Sequence, residues 1–101
     1  MSEYSLESLT RFREQIDEID VRLLELLNQR TAIVEEIGWA KQQLRLAIYE
    51  PKREDQVFAN VLGHNAGPLP PEAVKRIFER IIDEMRTVQK QNMLAAKKES
   101  C

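Results

Sequence analysis

The chain has 101 residues, enough for one domain with a limited core or for one element of an oligomer. It is 43% hydrophobic and 32% charged with a formal net charge of −2, so it lacks the basic excess that marks a nucleic-acid binder. No apolar run approaches the ~20 residues of a membrane span and no signal-peptide core follows Met1, so a cytoplasmic protein with no membrane partner is expected. The single cysteine, Cys101, is the last residue. No intrachain disulfide can form, which fits a reducing compartment, and a thiol at a chain end reads as incidental.

Glycine and proline are absent before Pro51 apart from Gly38. From about Ser5 to Leu46 the apolar residues recur at steps of three and four, which predicts one long helix of ~40 residues, or ~60 Å. Such a helix has no core of its own in a chain this short. It needs other helices, and a partner chain is the natural source. Pro51 disfavours helix at Glu50 and suits the first position of a second helix. That helix carries Val57, Phe58, Val61 and Leu62 and stops at Gly63. The run "GHNAGPLPP" is a loop. Pro71 opens a third helix with Glu72 in its first turn, whose apolar face is Val74, Ile77, Phe78, Ile81, Ile82, Met85 and Val88. The expected fold is all-α, with one very long, one short and one medium helix in a single domain. Its core is about 6–92, followed by a fraying tail, 93–101.

The long helix has an irregular seam. Leu9, Phe12, Ile16, Ile19, Leu23 and Leu26 fall in register, and the next step lands on Arg30. The pattern resumes at Ile33 and Ile37 and then meets Lys41. Eleven residues make about three turns, so Arg30 and Lys41 share nearly one face, ~16 Å apart along the axis. Two long cationic side chains at that spacing leave room for one small anion. An ordinary account would have both snorkel out of the seam or pair with acids. A buried guanidinium with no fixed anion costs several kcal/mol, and that weighs against a purely structural pair.

Other residues bear on the same question. Arg53 and Glu54 follow Pro51 in the first turn of the short helix, where by themselves they read as a solvated charge and a helix-start acid. Gln89 lies on the apolar side of the third helix, four residues after Met85. The only histidine, His64, sits in the loop without carboxylates or thiols at ligand spacing. There is no glycine-rich phosphate loop and no Ser/His/Asp arrangement. The inventory suits a chemistry of positioned charges, with no cofactor and no metal.

Taken together, "FREQIDEIDVRLLELLNQRTAIVEEIGWAK", "IYEPKRE" and "IFERIIDEMRTVQ" resemble the all-helical chorismate mutases. The resemblance runs from about residue 6 to 92, with the pieces LL..R, G.AK, P.RE and a final Gln in family order and spacing. It implies an intertwined helical homodimer in which chorismate, a small dicarboxylate, rearranges to prephenate on the way to phenylalanine and tyrosine. By the family pattern, Arg13 and Arg30 bind the two substrate carboxylates, and Lys41 and Gln89 donate to the ether oxygen of the breaking bond. Glu54 and the backbone near Glu50 hold the ring hydroxyl, and Arg53 adds positive potential. Position 85, a common place for a small hydroxyl residue in the family, is Met85, which cannot donate to a carboxylate. Glu50 is one methylene longer than the usual aspartate.

Helix geometry then makes the dimer specific. Arg13 and Arg30 are seventeen residues apart, ~25 Å along one helix, and Arg13 and Lys41 are ~42 Å apart. If all serve one site, Arg13 comes from a second, antiparallel chain. Two other functions suit the same residues. One is a lyase on this scaffold that removes pyruvate from isochorismate; the P.RE arrangement favours the mutase. The other is a non-catalytic helical dimerisation or regulatory module. Association or fusion with another shikimate-pathway enzyme is also compatible with the chain.

Overall fold

The computed structural model describes residues 3–99, with side-chain environments for 3–95. Three helices follow one another: α1, Leu6–Leu44; α2, Pro51–His64; and α3, Pro71–Glu99. No strand occurs among the described residues.

Helix α1 begins at a reciprocal serine cap. The Ser8 N–H donates to Ser5 Oγ at 3.1 Å, and the Ser5 N–H donates to Ser8 Oγ at 2.7 Å. This is a capping box with serine in the place of the usual glutamate. The helix ends at Leu44, two residues short of the predicted end, because Arg45 turns left-handed with φ 58°. The Leu46 N–H then reaches back to the Lys41 carbonyl at 2.8 Å, which is the 6→1 bond of a Schellman cap.

Helix α2 starts at Pro51, whose missing N–H costs nothing at that position. It closes with the His64 Nδ1–H donating to the Asn60 carbonyl at 2.8 Å. The loop beyond is fastened by Asn65, whose Oδ1 accepts from the Gly67 N–H at 3.0 Å while its Nδ2 donates to the Leu69 carbonyl at 2.9 Å. Gly67 has φ +76°, where a side chain would be strained.

Helix α3 differs from expectation at its far end. It continues through residues 93–99, where a fraying tail is expected from the sequence. Met93, Leu94, Ala95, Ala96 and the lysines after them are good helix formers, and no glycine or proline interrupts them. Cys101 lies outside the described residues.

The chain divides into two compact units, Met1–Ala32 and Ile33–Cys101. In the second, the core is a face of α3. Val74, Ile82 and Met85 are buried there, Phe78 and Ile81 are half-buried, and α2 packs against the helix with Val57, Phe58 and Val61 half-buried. In the first, the apolar seam of α1 faces outward, with Leu9, Phe12, Ile16, Ile19, Leu23 and Leu26 between 42% and 59% exposed. Tyr4 folds back edge-on to Phe12, with ring centroids 6.3 Å apart.

The α1 cap yields a stability prediction. A non-glycine residue in the left-handed region costs roughly 1–2 kcal/mol. Glycine removes that strain but adds unfolded-state entropy. Arg45→Gly is therefore expected to stabilise by about 0.5–1 kcal/mol. Urea unfolding at matched protein concentration measures it, and a loss of stability would show that the Arg45 side chain matters more than its backbone.

Candidate functional site

Among the described residues two polar or charged side chains are buried, Lys41 at 9% and Gln89 at 7% exposure. Both are polar intrusions on faces that the sequence makes apolar. An unpaired ammonium at that depth would cost several kcal/mol, and the turn after α1 supplies its partners. Lys41 Nζ donates to the Ile48 carbonyl at 2.9 Å and pairs with Glu50 Oε1 at 2.5 Å. An ammonium carries three N–H donors, so these two contacts orient the group and leave one donor for a bound acceptor. Lys41 also lies in the last turn of α1, where a cation complements the helix dipole.

Gln89 reaches α1 from α3. Its Nε2 donates to the Val34 carbonyl at 3.1 Å, which fixes the amide and leaves its second N–H available. The approach depends on Gly38. A Cβ at that position would lie 3.3 Å from Gln89 Cγ. Val34, Gly38 and Lys41 are spaced four and three residues apart, so they stack along one face of α1. Gln89 and Lys41 therefore address the same face, about one turn apart. Asn92, almost one turn further along α3, donates to Glu35 Oε2 at 3.0 Å and holds the same pair of helices.

Glu54 engages a residue that the sequence pattern did not single out. Both of its oxygens accept from Arg86 Nη2 at 2.8 Å. The Arg86 guanidinium lies over the Tyr49 ring, 5.2 Å from its centroid, and its Nη1 donates to Asp83 Oδ1 at 3.3 Å. The signal was present: Arg86 stands four residues after buried Ile82, so it is a cation set into an apolar stripe, the pattern that marks Arg30 and Lys41.

The remaining expected residues are placed as follows. Glu50 acts through its carboxylate as well as its backbone, because the longer side chain reaches Lys41 while its carbonyl accepts the Glu54 N–H at 3.0 Å. Arg53 is exposed, and its Nη1 donates to Gln56 Oε1 at 3.4 Å on its own helix. Met85 is buried in the α3 core face. Arg13 and Arg30 belong to the first unit, where Arg13 is exposed and Arg30 half-buried. Thus Lys41 and Glu50 form one contact group, Gln89 addresses the same face of α1, and Glu54 joins Arg86. The donors offered are an ammonium and an amide, suited to an oxygen that carries or gains negative charge. No group of three or more His, Cys, Asp or Glu side chains among the described residues is arranged to hold a metal ion.

The Gly38 contact is open to measurement. Glycine to alanine inside a helix ordinarily stabilises by ~1 kcal/mol. Gly38→Ala is expected to gain nothing or to lose stability, because the new Cβ presses on Gln89. In a Gln89→Ala background the same change should recover the ~1 kcal/mol. The full gain from Gly38→Ala alone in urea unfolding would mean that Gln89 does not sit against Gly38.

The chain is similar to known proteins over most of its length. The chain matches the family Chorismate mutase type II over residues 12–90. It is 34% identical over 94 residues to the bifunctional chorismate mutase/prephenate dehydratase of Aquifex aeolicus, an alignment covering 89% of this chain and 26% of that protein. It is 29% identical over 90 residues to the chorismate mutase of Methanocaldococcus jannaschii, covering 85% of this chain and 88% of that one. It thus spans about a quarter of the bifunctional relatives and nearly all of the shorter one. Among solved structures, form II of the chorismate mutase from Thermus thermophilus superposes with a TM-score of 0.81 at 30% identity, covering 82% of this chain and 94% of that chain. With a family match over residues 12–90, and with a fold that superposes on a solved member over 82% of the chain, the chain belongs to the type II chorismate mutase family.

Proposed function

We propose that this chain catalyses the intramolecular [3,3] rearrangement of chorismate to prephenate. The observation that carries the proposal is the burial of Lys41 and Gln89, the two polar side chains sunk among the described residues. In the reaction one C–O bond breaks and one C–C bond forms within a single molecule. No proton, nucleophile or metal takes part. A protein can accelerate it in two ways. It can hold the flexible side chain over the ring as a near-attack conformer. It can also stabilise the negative charge that gathers on the ether oxygen when C–O cleavage runs ahead of C–C formation. The remaining N–H of Lys41 and the second N–H of Gln89 suit the latter role. Their other bonds, to Ile48, Glu50 and Val34, fix the donors beforehand, so little reorganisation is needed during the reaction.

Arg13 and Arg30 take the two substrate carboxylates in this reading, since a guanidinium fork matches a carboxylate in shape and charge. Glu54, with the backbone near Glu50, accepts the ring hydroxyl. Arg53 contributes only long-range potential, as its solvent exposure suggests. Met85 supplies packing at a place where a hydroxyl residue would have added a hydrogen bond. The working assembly is a homodimer with two shared sites. The exposed seam of Leu9, Phe12, Ile16, Ile19, Leu23 and Leu26 supports it, because monomers seldom leave a large contiguous apolar stripe in water.

The direct test is to incubate purified protein with chorismate and follow the loss of its absorbance, with pyruvate release assayed alongside. Prephenate should form without pyruvate. Lys41→Ala should lower kcat/KM by at least ~10²-fold, the scale for removing an oxyanion-type donor. Near-normal activity in the folded variant defeats the assignment.

The shared site has its own test. Arg13→Ala and Lys41→Ala are each expected to be nearly inactive. When the two are unfolded together in equal amounts and refolded, half the dimers are hybrids. Each hybrid has one doubly defective site and one intact site, so roughly a quarter of wild-type activity should return. Mixtures that stay inactive, although mass measurement shows hybrids have formed, rule out the shared site.

A further inference from the structure

Arg86 lies outside the set of residues that the family pattern assigns to substrate. We infer that it is a positioning residue for the substrate's ring hydroxyl, acting through Glu54. The inference rests on the reading of Glu54 as the acceptor of that hydroxyl.

A dicarboxylate substrate is a dianion, and a bare carboxylate in its pocket would repel it. Here Glu54 is not bare. Arg86 Nη2 bridges both oxygens at 2.8 Å, and the pair sits three-quarters out of solvent, with side-chain exposures of 24% and 25%. One nitrogen placed between two oxygens occupies the inner lone pairs and leaves the outer ones to accept from an incoming hydroxyl. Arg86 therefore offsets the charge of Glu54, although the more exposed Asp83 shares the same guanidinium, and Glu54 is still a strong acceptor. A lone glutamate would accept equally well at the cost of repulsion and of free rotation.

Arg86 is itself held from three sides. Glu54 of α2 takes Nη2, Asp83 takes Nη1 from within α3, and the guanidinium carbon lies over the Tyr49 ring. Tyr49 lies between Ile48 and Glu50, the two residues that hold Lys41. The connection after α1 therefore touches both groups: Ile48 and Glu50 fix the ammonium, and Tyr49 fixes the guanidinium that fixes Glu54. Arg86 sets the acceptor for the hydroxyl, and three consecutive residues, Ile48, Tyr49 and Glu50, connect it with the donor for the ether oxygen.

A hydroxyl contact is made equally in the bound substrate and in the transition state, so its loss should fall on KM. The experiment compares kcat and KM for chorismate in the wild type, Arg86→Met, Arg86→Lys, Glu54→Gln and Arg86→Met/Glu54→Gln, with thermal melts to establish folding. Arg86→Met should raise KM by ~10-fold while kcat stays within ~3-fold. Arg86→Lys should recover part of the loss, since it returns the charge without the fork. In the Glu54→Gln background there is no carboxylate to neutralise, so adding Arg86→Met should change KM by less than ~2-fold. An unchanged KM in folded Arg86→Met, or an equal rise in both backgrounds, overturns the inference. Should Arg86→Met fail to fold, Arg86→Lys with and without Glu54→Gln reads the same suppression. A wild-type chain that leaves chorismate intact defeats the functional reading and this inference with it. An active wild type with an indifferent Arg86 defeats the inference alone.

Discussion

The second unit of the molecule is organised around one requirement, that the buried ammonium of Lys41 be satisfied. A lysine at the end of a helix normally reaches water. Here it is 9% exposed, so the chain must return over the helix end to supply oxygen. The left-handed Arg45 and the Leu46-to-Lys41 bond make that reversal. The Ile48 carbonyl and the Glu50 carboxylate then meet the ammonium. Because Pro51 starts α2 immediately afterwards, Glu54 stands one turn from the pair, with its N–H on the Glu50 carbonyl. The place of each of these residues follows from the one before it.

The same economy governs the contact between α1 and α3. Gly38 sits inside a helix although it costs ~1 kcal/mol relative to alanine, and a Cβ there would crowd Gln89 Cγ at 3.3 Å. The core of this unit is small, with Val74, Ile82 and Met85 as the buried apolar side chains among the described residues. Polar contacts supplement it: Gln89 to Val34, Asn92 to Glu35, and Arg86 to Glu54. Each joins two helices. Two of the three end on residues adjoining the candidate site, so holding the fold together and orienting the site are largely one task.

Charge is distributed to the same end. The chain is slightly acidic overall, yet two cations of this unit are held by carboxylates, Lys41 by Glu50 and Arg86 by Glu54 and Asp83. Such pairing keeps long cationic side chains in fixed positions without burying an uncompensated charge. It also leaves unused N–H groups at defined places. A rearrangement that transfers no proton needs fixed donors of this kind more than titrating groups.

Much of this is legible in the sequence, for reasons that differ by element. The three helices can be read because periodicity, Pro51 and Pro71 are local signals. The end of α1 falls two residues before its predicted place because nothing marks Arg45 as left-handed when the usual glycine is absent. The end of α3 lies beyond its predicted place because a polar composition resembles fraying even where helix propensity is still high. Lys41 and Gln89 can be found because each interrupts an apolar face. The tertiary structure alone decided what they touch. That the Glu50 side chain reaches Lys41, that Gly38 makes room for Gln89, and that Arg86 holds Glu54 are all contacts between elements distant along the chain or across a turn. Periodicity determines which face a residue occupies. It carries no information about which residue of another element will meet it, and that is settled only when the helices pack.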